Sequence, residues 1–512
     1  MNRRIIFILV SLLGLTFFTD SKARRRRVQR RKGVSNVEHR KMLLKDPIIN
    51  KYLKTNGGTT SAGWKDESFR NTVKLCGANW HCTESLNMMI GKKNSALTEY
   101  YKDGLATQVW GGISEFKMTF IDENHYLNAA FGALFHQVPN AADLIAPVIN
   151  TTEKIYNLWG HVAHTPYWVL FYLGAKNKIK DMLPGLEEAR ATVSHVKAMY
   201  QFTPAWKLSS ATKASMENIC INKAFQGGKY ESVAPYCLRW MGLTNSKNKT
   251  AKRFLKRYFT SNRGYEQLEA IHAIAHLNDK SMKKLLQENL AKSYFQKKEN
   301  VKVGRRYKKK LVDTWGRNFN SIPTALTLLG MDDSKAKKAI NYWLKFDDKK
   351  KRCDHTAIEM LFMETAVSSV SIQKKMKKDL QNIYKKLVKY QSRNSQFKNV
   401  VRYASLALIQ MGDTTGMKGV MDILGSGNIN DIKELLAGLG GDPEKWVGSP
   451  RNRQGLGYLK VGKNGISVKN AKKIARKIKS ELPVWGDKFV KGLALRAYID
   501  INARIHIAEK KL

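Results

Sequence analysis

Acidic side chains are scarce in this sequence. Its 512 residues hold 42 Asp and Glu against 90 Lys and Arg, a formal net charge of +48. A field of that sign attracts polyanions and speeds encounter with them. It does not name the polyanion: nucleic acid, lipopolysaccharide, acidic cell-wall polymers, anionic lipid surfaces and acidic proteins all qualify. Proline is scarce as well, 11 in all, and from Trp64 onward little interrupts helical periodicity. Long apolar runs are missing beyond 5–18, which is short of the ~20 residues a bilayer span needs. Hydrophobic residues nonetheless make up 43% of the chain, so it is no disordered polymer.

Catalytic motifs are missing too. There is no CxxC, no G-x-S-x-G elbow, and no phosphate-binding loop, since Gly438-Leu439-Gly440-Gly441 lacks the Gly-Lys-Ser/Thr ending. His272 and His276 have the i, i+4 spacing of two zinc ligands, but Ala273 stands where a zinc protease carries Glu. His161 and His164 form a second close pair. Asp122, Glu123 and His125 form the densest acid-and-histidine group, which a helix cap explains more simply than glycoside chemistry. No catalytic residue, metal site or cofactor is assigned on these grounds.

The first 23 residues have the form of a secretory signal. Arg3 and Arg4 precede the apolar run 5–18, and Ser21 and Ala23 place small residues at a cleavage site. Arg24, Arg25, Arg26 and Arg27 follow at once, and charge there opposes translocation. The expectation is an exported protein, periplasmic or secreted, with a basic arm and linker at 24–63. Five cysteines fit an oxidising compartment. Cys76 with Cys82, and Cys220 with Cys237, are the candidate disulfides, leaving Cys353 over.

Along the rest of the chain three regions are expected: an aromatic-rich helical region at 64–240, basic helical pairs at 241–437, and a glycine-rich loop with terminal helices at 438–512. Positive charge concentrates in 247–317, with 20 Lys and Arg against 6 Asp and Glu. Arg305, Arg306, Lys308, Lys309 and Lys310 form its densest cluster, joined by Lys256 and Arg257 as candidate binding residues. Two short runs around Asn464-Gly465 suggest a small β-hairpin at 457–468. Helices resume at 470–482 and from Trp485, the last with a stripe of Phe489, Leu493, Ala497, Ile501 and Ile505.

A pattern recurs in the helical part. An Ala/Leu-rich helix ends in a turn with Gly, Asn or Asp, and a Lys-bearing amphipathic helix follows. The copies are 167–174 with 178–186, 268–279 with 282–290, 323–333 with 336–344, and 404–413 with 417–424; the stretch 356–363 between them fits less well. These segments resemble HEAT-type helical repeats over roughly 160–420, through an A-x-x-x-L-G-D-like turn seen as Met411-Gly412-Asp413. The resemblance implies an all-α, irregular α-solenoid with a concave binding face. The expected function is therefore binding or scaffolding of an acidic polymer or protein, with peripheral membrane contact open. The rivals are an envelope hydrolase acting on cell-wall glycan through 64–240, and an exported nucleic-acid-binding protein whose aromatics stack on bases.

Overall fold

The computed structural model describes residues 140–143, 200, 208–260, 264–316, 320–393, 395–441, 461–462, 465–482 and 484–509. The chain divides into two units, Met1–Leu173 and Gly174–Leu512. Of the first, only a turn and a short helical stretch at 140–143 are described. The signal segment, the arm with Arg24 to Arg27, the Cys76/Cys82 pair, Asp122 to His125, the His161/His164 pair and the helix pair at 167–186 lie outside the described residues.

The second unit is mostly helical, with a small two-stranded antiparallel hairpin. Helix α1 (Ser210–Ile219) leads through a wide turn at Cys220–Ala224 into five helix pairs. These are α2 (Ala234–Leu243) with α3 (Lys249–Phe259), α4 (Gly264–Leu277) with α5 (Lys283–Ala291), and α6 (Ser321–Gly330) with α7 (Ser334–Trp343). The last two are α8 (His355–Val367) with α9 (Val370–Tyr390), and α10 (Ser395–Gln410) with α11 (Met417–Leu424). Helices α12 (Ile429–Leu436), α13 (Val468–Glu481) and α14 (Lys488–Glu509) close the unit. Strands β1 (Tyr294–Val303) and β2 (Arg306–Trp315) lie between the second and third pairs, and the two-residue strands β3 (Phe346–Asp347) and β4 (Arg352–Cys353) between the third and fourth.

Within each pair the two helices differ in composition. First helices are apolar nearly all round and therefore buried. Residues 321–329 of α6 and 401–410 of α10 are buried without a break. Each such Leu or Ile contributes about 1.5–3 kcal/mol by leaving water. Second helices are amphipathic, as in α7, where Ala336, Ala339, Ile340 and Trp343 face inward and lysines face out. Each first helix packs on the first helix of the next pair, α2 on α4, α4 on α6, α6 on α8 and α8 on α10. Second helices α3, α5, α7 and α9 each pack on the first helix that follows.

One turn geometry joins the helices in four of the pairs. Asn245, Asn278, Asp332 and Gly412 adopt positive φ, between 49° and 76°. Each amide bonds the carbonyl three residues back, and the next amide bonds the carbonyl five back, as in Asp332 N to Leu329 O and Asp333 N to Leu328 O. This is the Schellman closure of a helix C-terminus. In three of the four, the next residue is an aspartate that caps the second helix, directly at Asp333 and through the single 3-10 turns Lys280–Met282 and Thr414–Gly416 at Asp279 and Asp413. One carboxylate oxygen of Asp279, Asp333 and Asp413 accepts the amide of Ser281, Ala336 and Thr415 respectively. The other oxygen accepts from the second helix of the preceding pair: Lys252 at 3.1 Å, Gln287 at 2.7 Å and Gln381 at 2.6 Å. All three aspartates are buried. The α8–α9 turn differs: Ser369 caps α9, and Gln373 Nε2 bonds the carbonyls of Ala366 and Ser368.

Two expectations change. The hairpin predicted at 457–468 is not seen among the described residues, where only a bridge between Val461 and Ile466 forms; 457–460 and 463–464 lie outside them. Ser467 instead caps α13, so Val468 begins a helix. The long hairpin among the described residues lies at 294–315, in a stretch expected to be helical. The boundary expected at 240/241 falls within α2.

Cys220 and Cys237 stand at disulfide distance, with Cα atoms 5.8 Å apart, tying the wide turn after α1 to α2. Closing a loop of that length stabilises by about 3 kcal/mol in the chain-entropy account. Reduction should lower the stability of the full chain by that order, read as a drop in urea midpoint that Cys237→Ser reproduces.

The cap aspartates give two further measurements. Asp333→Ala removes both the cap and the acceptor of Gln287, and should cost about 1–2 kcal/mol in urea denaturation. At Asp279, burial alone would raise the carboxyl, but the Ser281 hydroxyl, Lys252 and the Ser281 amide outweigh it and hold the group below its ordinary value. A carboxyl depressed in the folded state contributes stability above its unfolded pKa of ~3.9, and loses it as pH falls through the folded value. The stability gap between Asp279→Asn and the parent should therefore shrink as pH is lowered below about 4.

Candidate functional site

The densest cationic cluster lies on β1 and β2, not on a helix as expected. Val303 pairs with Arg306 across the two-residue turn Gly304-Arg305, and Gly304 takes φ +64. Glycine at the first turn position suits the right-handed twist of a hairpin. The ladder then runs without interruption to Tyr294 opposite Trp315. At ~3.3 Å per residue the ribbon is about 30 Å long. Its base is pinned: Trp315 is buried, its ring 4.9 Å from Tyr294 and 6.5 Å from Trp343 of α7. The Gly316 amide donates to Ser293 O at 2.6 Å. Toward the turn, residues on both faces of the ladder are exposed.

Alternation splits the predicted cluster. Arg306, Lys308 and Lys310 share one face with Lys297. Lys309 shares the other with Lys298 and Lys302, while Arg305 stands in the turn. The two carboxylates of the ribbon are already engaged. Glu299 lies 3.6 Å from Lys297, and Asp313 accepts the Tyr294 hydroxyl. That hydroxyl, then Gln296, and a lesser pull from Lys338 of α7, hold Asp313 below the usual carboxylate range. None of Arg305, Arg306, Lys308, Lys309 and Lys310 is ion-paired among the described residues.

Lys256 and Arg257 lie elsewhere, exposed on α3. They belong to a wider asymmetry. First helices carry Arg239, Lys398 and Arg402 against Glu266, Glu269, Glu359 and Glu364, and α6 carries no charge. Several of these groups pair with one another or with α12: Arg239 clasps Glu269 with two bonds of 2.7 and 2.8 Å, and Arg402 pairs with Asp431 and Glu434. Second helices are dense in cations. Helix α3 carries Lys249, Lys252, Arg253, Lys256 and Arg257; α7 carries Lys335, Lys337 and Lys338; α9 carries Lys374, Lys375, Lys377, Lys378, Lys385, Lys386 and Lys389. With α5 and α11 included, their only acids are Glu288, Asp379 and Asp422. Exposed acids nearby feel this field: Lys375 holds Asp332 below its ordinary pKa by hydrogen bond and charge.

The remaining candidates resolve into structural contacts. His272 Nε2 lies 2.6 Å from Glu364 Oε2 with both side chains buried, and His276 Nε2 lies 3.2 Å from the Val367 carbonyl. The pair thus joins α4 to α8 rather than converging on one ligand. Among the described residues no three His, Cys, Asp or Glu are grouped to hold a metal ion. Most of 64–240, where the hydrolase reading placed its cleft, lies outside the described residues.

Sequence reasoning missed the ribbon because its alternation marks no buried face. With cations on both sides, period two looks like an ordinary charge run. The available signal was Val301-Lys302-Val303-Gly304, β-branched residues leading into a glycine turn.

Cys353, the leftover thiol, lies 3.7 Å from His355 Nδ1. Burial, then the charge of Asp354, pushes it up to about 12. Since the thiolate is the nucleophile, iodoacetamide at pH 8 should label Cys353 roughly a hundredfold more slowly in the native chain than in the denatured one. Mass spectrometry of its peptide reads this directly.

Comparison with known proteins finds no matching family model, no matching curated protein and no matching solved structure.

Proposed function

We propose that this chain is an exported, non-enzymatic binding protein that holds an acidic polymer or protein against a cationic surface. One observation carries the reading: charge is segregated by helix, with lysine and arginine on the second helices and on the ribbon, and few charges on the first helices. Packing leaves the second helices as the exposed members, and what marks them is the near absence of acids there: Glu288, Asp379 and Asp422 are the only ones on α3, α5, α7, α9 and α11. The cations collect most densely on the second helices α3, α7 and α9, whereas α11 carries only Lys418, paired with Asp422.

The helix pairs are read as HEAT-like repeats in an irregular solenoid. The recurring Schellman turn supports this, as does the packing of each first helix on the next. The contact of α4 with α8 through His272 and Glu364 implies tight curvature, because it joins the second pair to the fourth. Export is read from the N-terminal segment and fits the Cys220–Cys237 pair. In this reading the protein grips its partner by many weak cation contacts, and affinity comes from counterion release.

The test is binding of the full chain to dextran sulfate and to duplex DNA across a salt series. Affinity should fall linearly on a double-logarithmic plot. Combined reversal of Arg306, Lys308 and Lys310 to Glu should weaken binding and flatten the slope by about three units, if all three contact the polymer. Lack of binding at low salt, or binding indifferent to salt, would overturn the reading. Preference for DNA over dextran sulfate at equal salt would favour the nucleic-acid rival.

A further inference from the structure

We infer that the β1–β2 ribbon is a membrane-surface arm, whose apolar side chains enter the headgroup region of an anionic bilayer. The inference rests on the polyanion reading and names its partner. Exposed large hydrophobic residues are few among the described residues: Leu243, Phe295, Val303, Tyr307, Leu311, Tyr342 and Val484. Four of these seven lie on the ribbon, and Tyr307 and Leu311 are among the most exposed, at 70% and 61%. A soluble polyanion gives such groups nothing to contact, and water penalises them.

The register sets three of these four opposite a cation, Phe295 standing opposite Thr314, and it places Tyr307 and Leu311 on one face and Phe295 and Val303 on the other. Lys302 stands opposite Tyr307, Lys298 opposite Leu311, and Arg306 opposite Val303. Tyr307, Lys309 and Leu311 follow one another on a single face. That alternation matches an anionic membrane surface, where tyrosine and leucine sink to the acyl boundary and lysine stems carry their charges back to the headgroups. An isolated hairpin is marginal in water, so its length beyond the pinned base suggests a use there. Bases are a poorer match, because Leu311 and Val303 have no ring to stack. A second copy is poorer still, because it would set lysine against lysine along the exposed edges.

The experiment is flotation of the full chain with vesicles of equal parts phosphatidylglycerol and phosphatidylcholine, and with phosphatidylcholine alone. Binding is expected only to the anionic vesicles. Tyr307→Ser with Leu311→Ser should weaken it roughly tenfold or more. The same variant should keep the parent's affinity for dextran sulfate and its thermal midpoint, since both side chains are exposed. Tyr307→Trp should add a blue-shifted emission component on anionic vesicles that dextran sulfate does not induce. Unchanged vesicle affinity in the serine variant, with no blue shift, overturns the bilayer assignment while leaving the polyanion reading intact. Equal loss of single-stranded DNA affinity in that variant also overturns it, in favour of base stacking. Failure of the parent to bind either dextran sulfate or vesicles removes the polyanion reading and this inference together.

Discussion

The helical part of this protein depends on a buried aspartate whose two oxygens answer to different helix pairs. At Asp279, Asp333 and Asp413 one oxygen closes the start of the second helix, and the other accepts from the second helix of the pair before. A buried carboxylate is costly unless its lone pairs are filled. Here filling them requires both the local turn and the neighbour, so forming the turn and docking the pair become one event. The left-handed residue just before makes this possible. It reverses the chain in one step and delivers the aspartate to the junction. Glycine holds that place at Gly412, where a Cβ would meet the Gly465 carbonyl oxygen at 2.6 Å, whereas Asn278 and Asp332 hold it elsewhere.

The same device shapes the surface. Because first helices lie among neighbours, their few charges must find partners, as Arg239 finds Glu269 and His272 finds Glu364. Second helices keep one face in water and can carry unpaired lysines at little cost. Charge segregation thus follows from the packing order of the pairs. The ribbon is a different solution. It adds cations without adding core, anchored at its base, where Tyr294 packs on Trp315 and Trp315 on Trp343 of α7.

Much of the helical architecture was legible because helix pairs advertise themselves locally. The pairs at 268–290, 323–344 and 404–424 appear close to where periodicity set them, and α13 and α14 likewise. Leu493, Ala497, Ile501 and Ile505 are buried as their stripe suggested. The α8–α9 pair matched the pattern poorly because its turn uses Ser368 and Ser369 without a left-handed residue. The candidate site was legible as a charge cluster, and expected on helical repeats rather than on a strand ribbon. Lys308, Lys309 and Lys310 look alike in sequence, yet strand geometry turns the middle one to the opposite face.

By itself the sequence determined the positive field, the helix-pair rhythm, and a Cys220–Cys237 pair close enough along the chain to close a short loop. These are local properties, fixed by composition and by spacing over a few turns of chain. Tertiary structure alone decided where the cations point, which histidine meets which carboxylate, and that a basic run stands out as a ribbon. Those outcomes depend on which distant segments share a core. His272 and Glu364, 92 residues apart, acquire their relation only when the helices between them are packed.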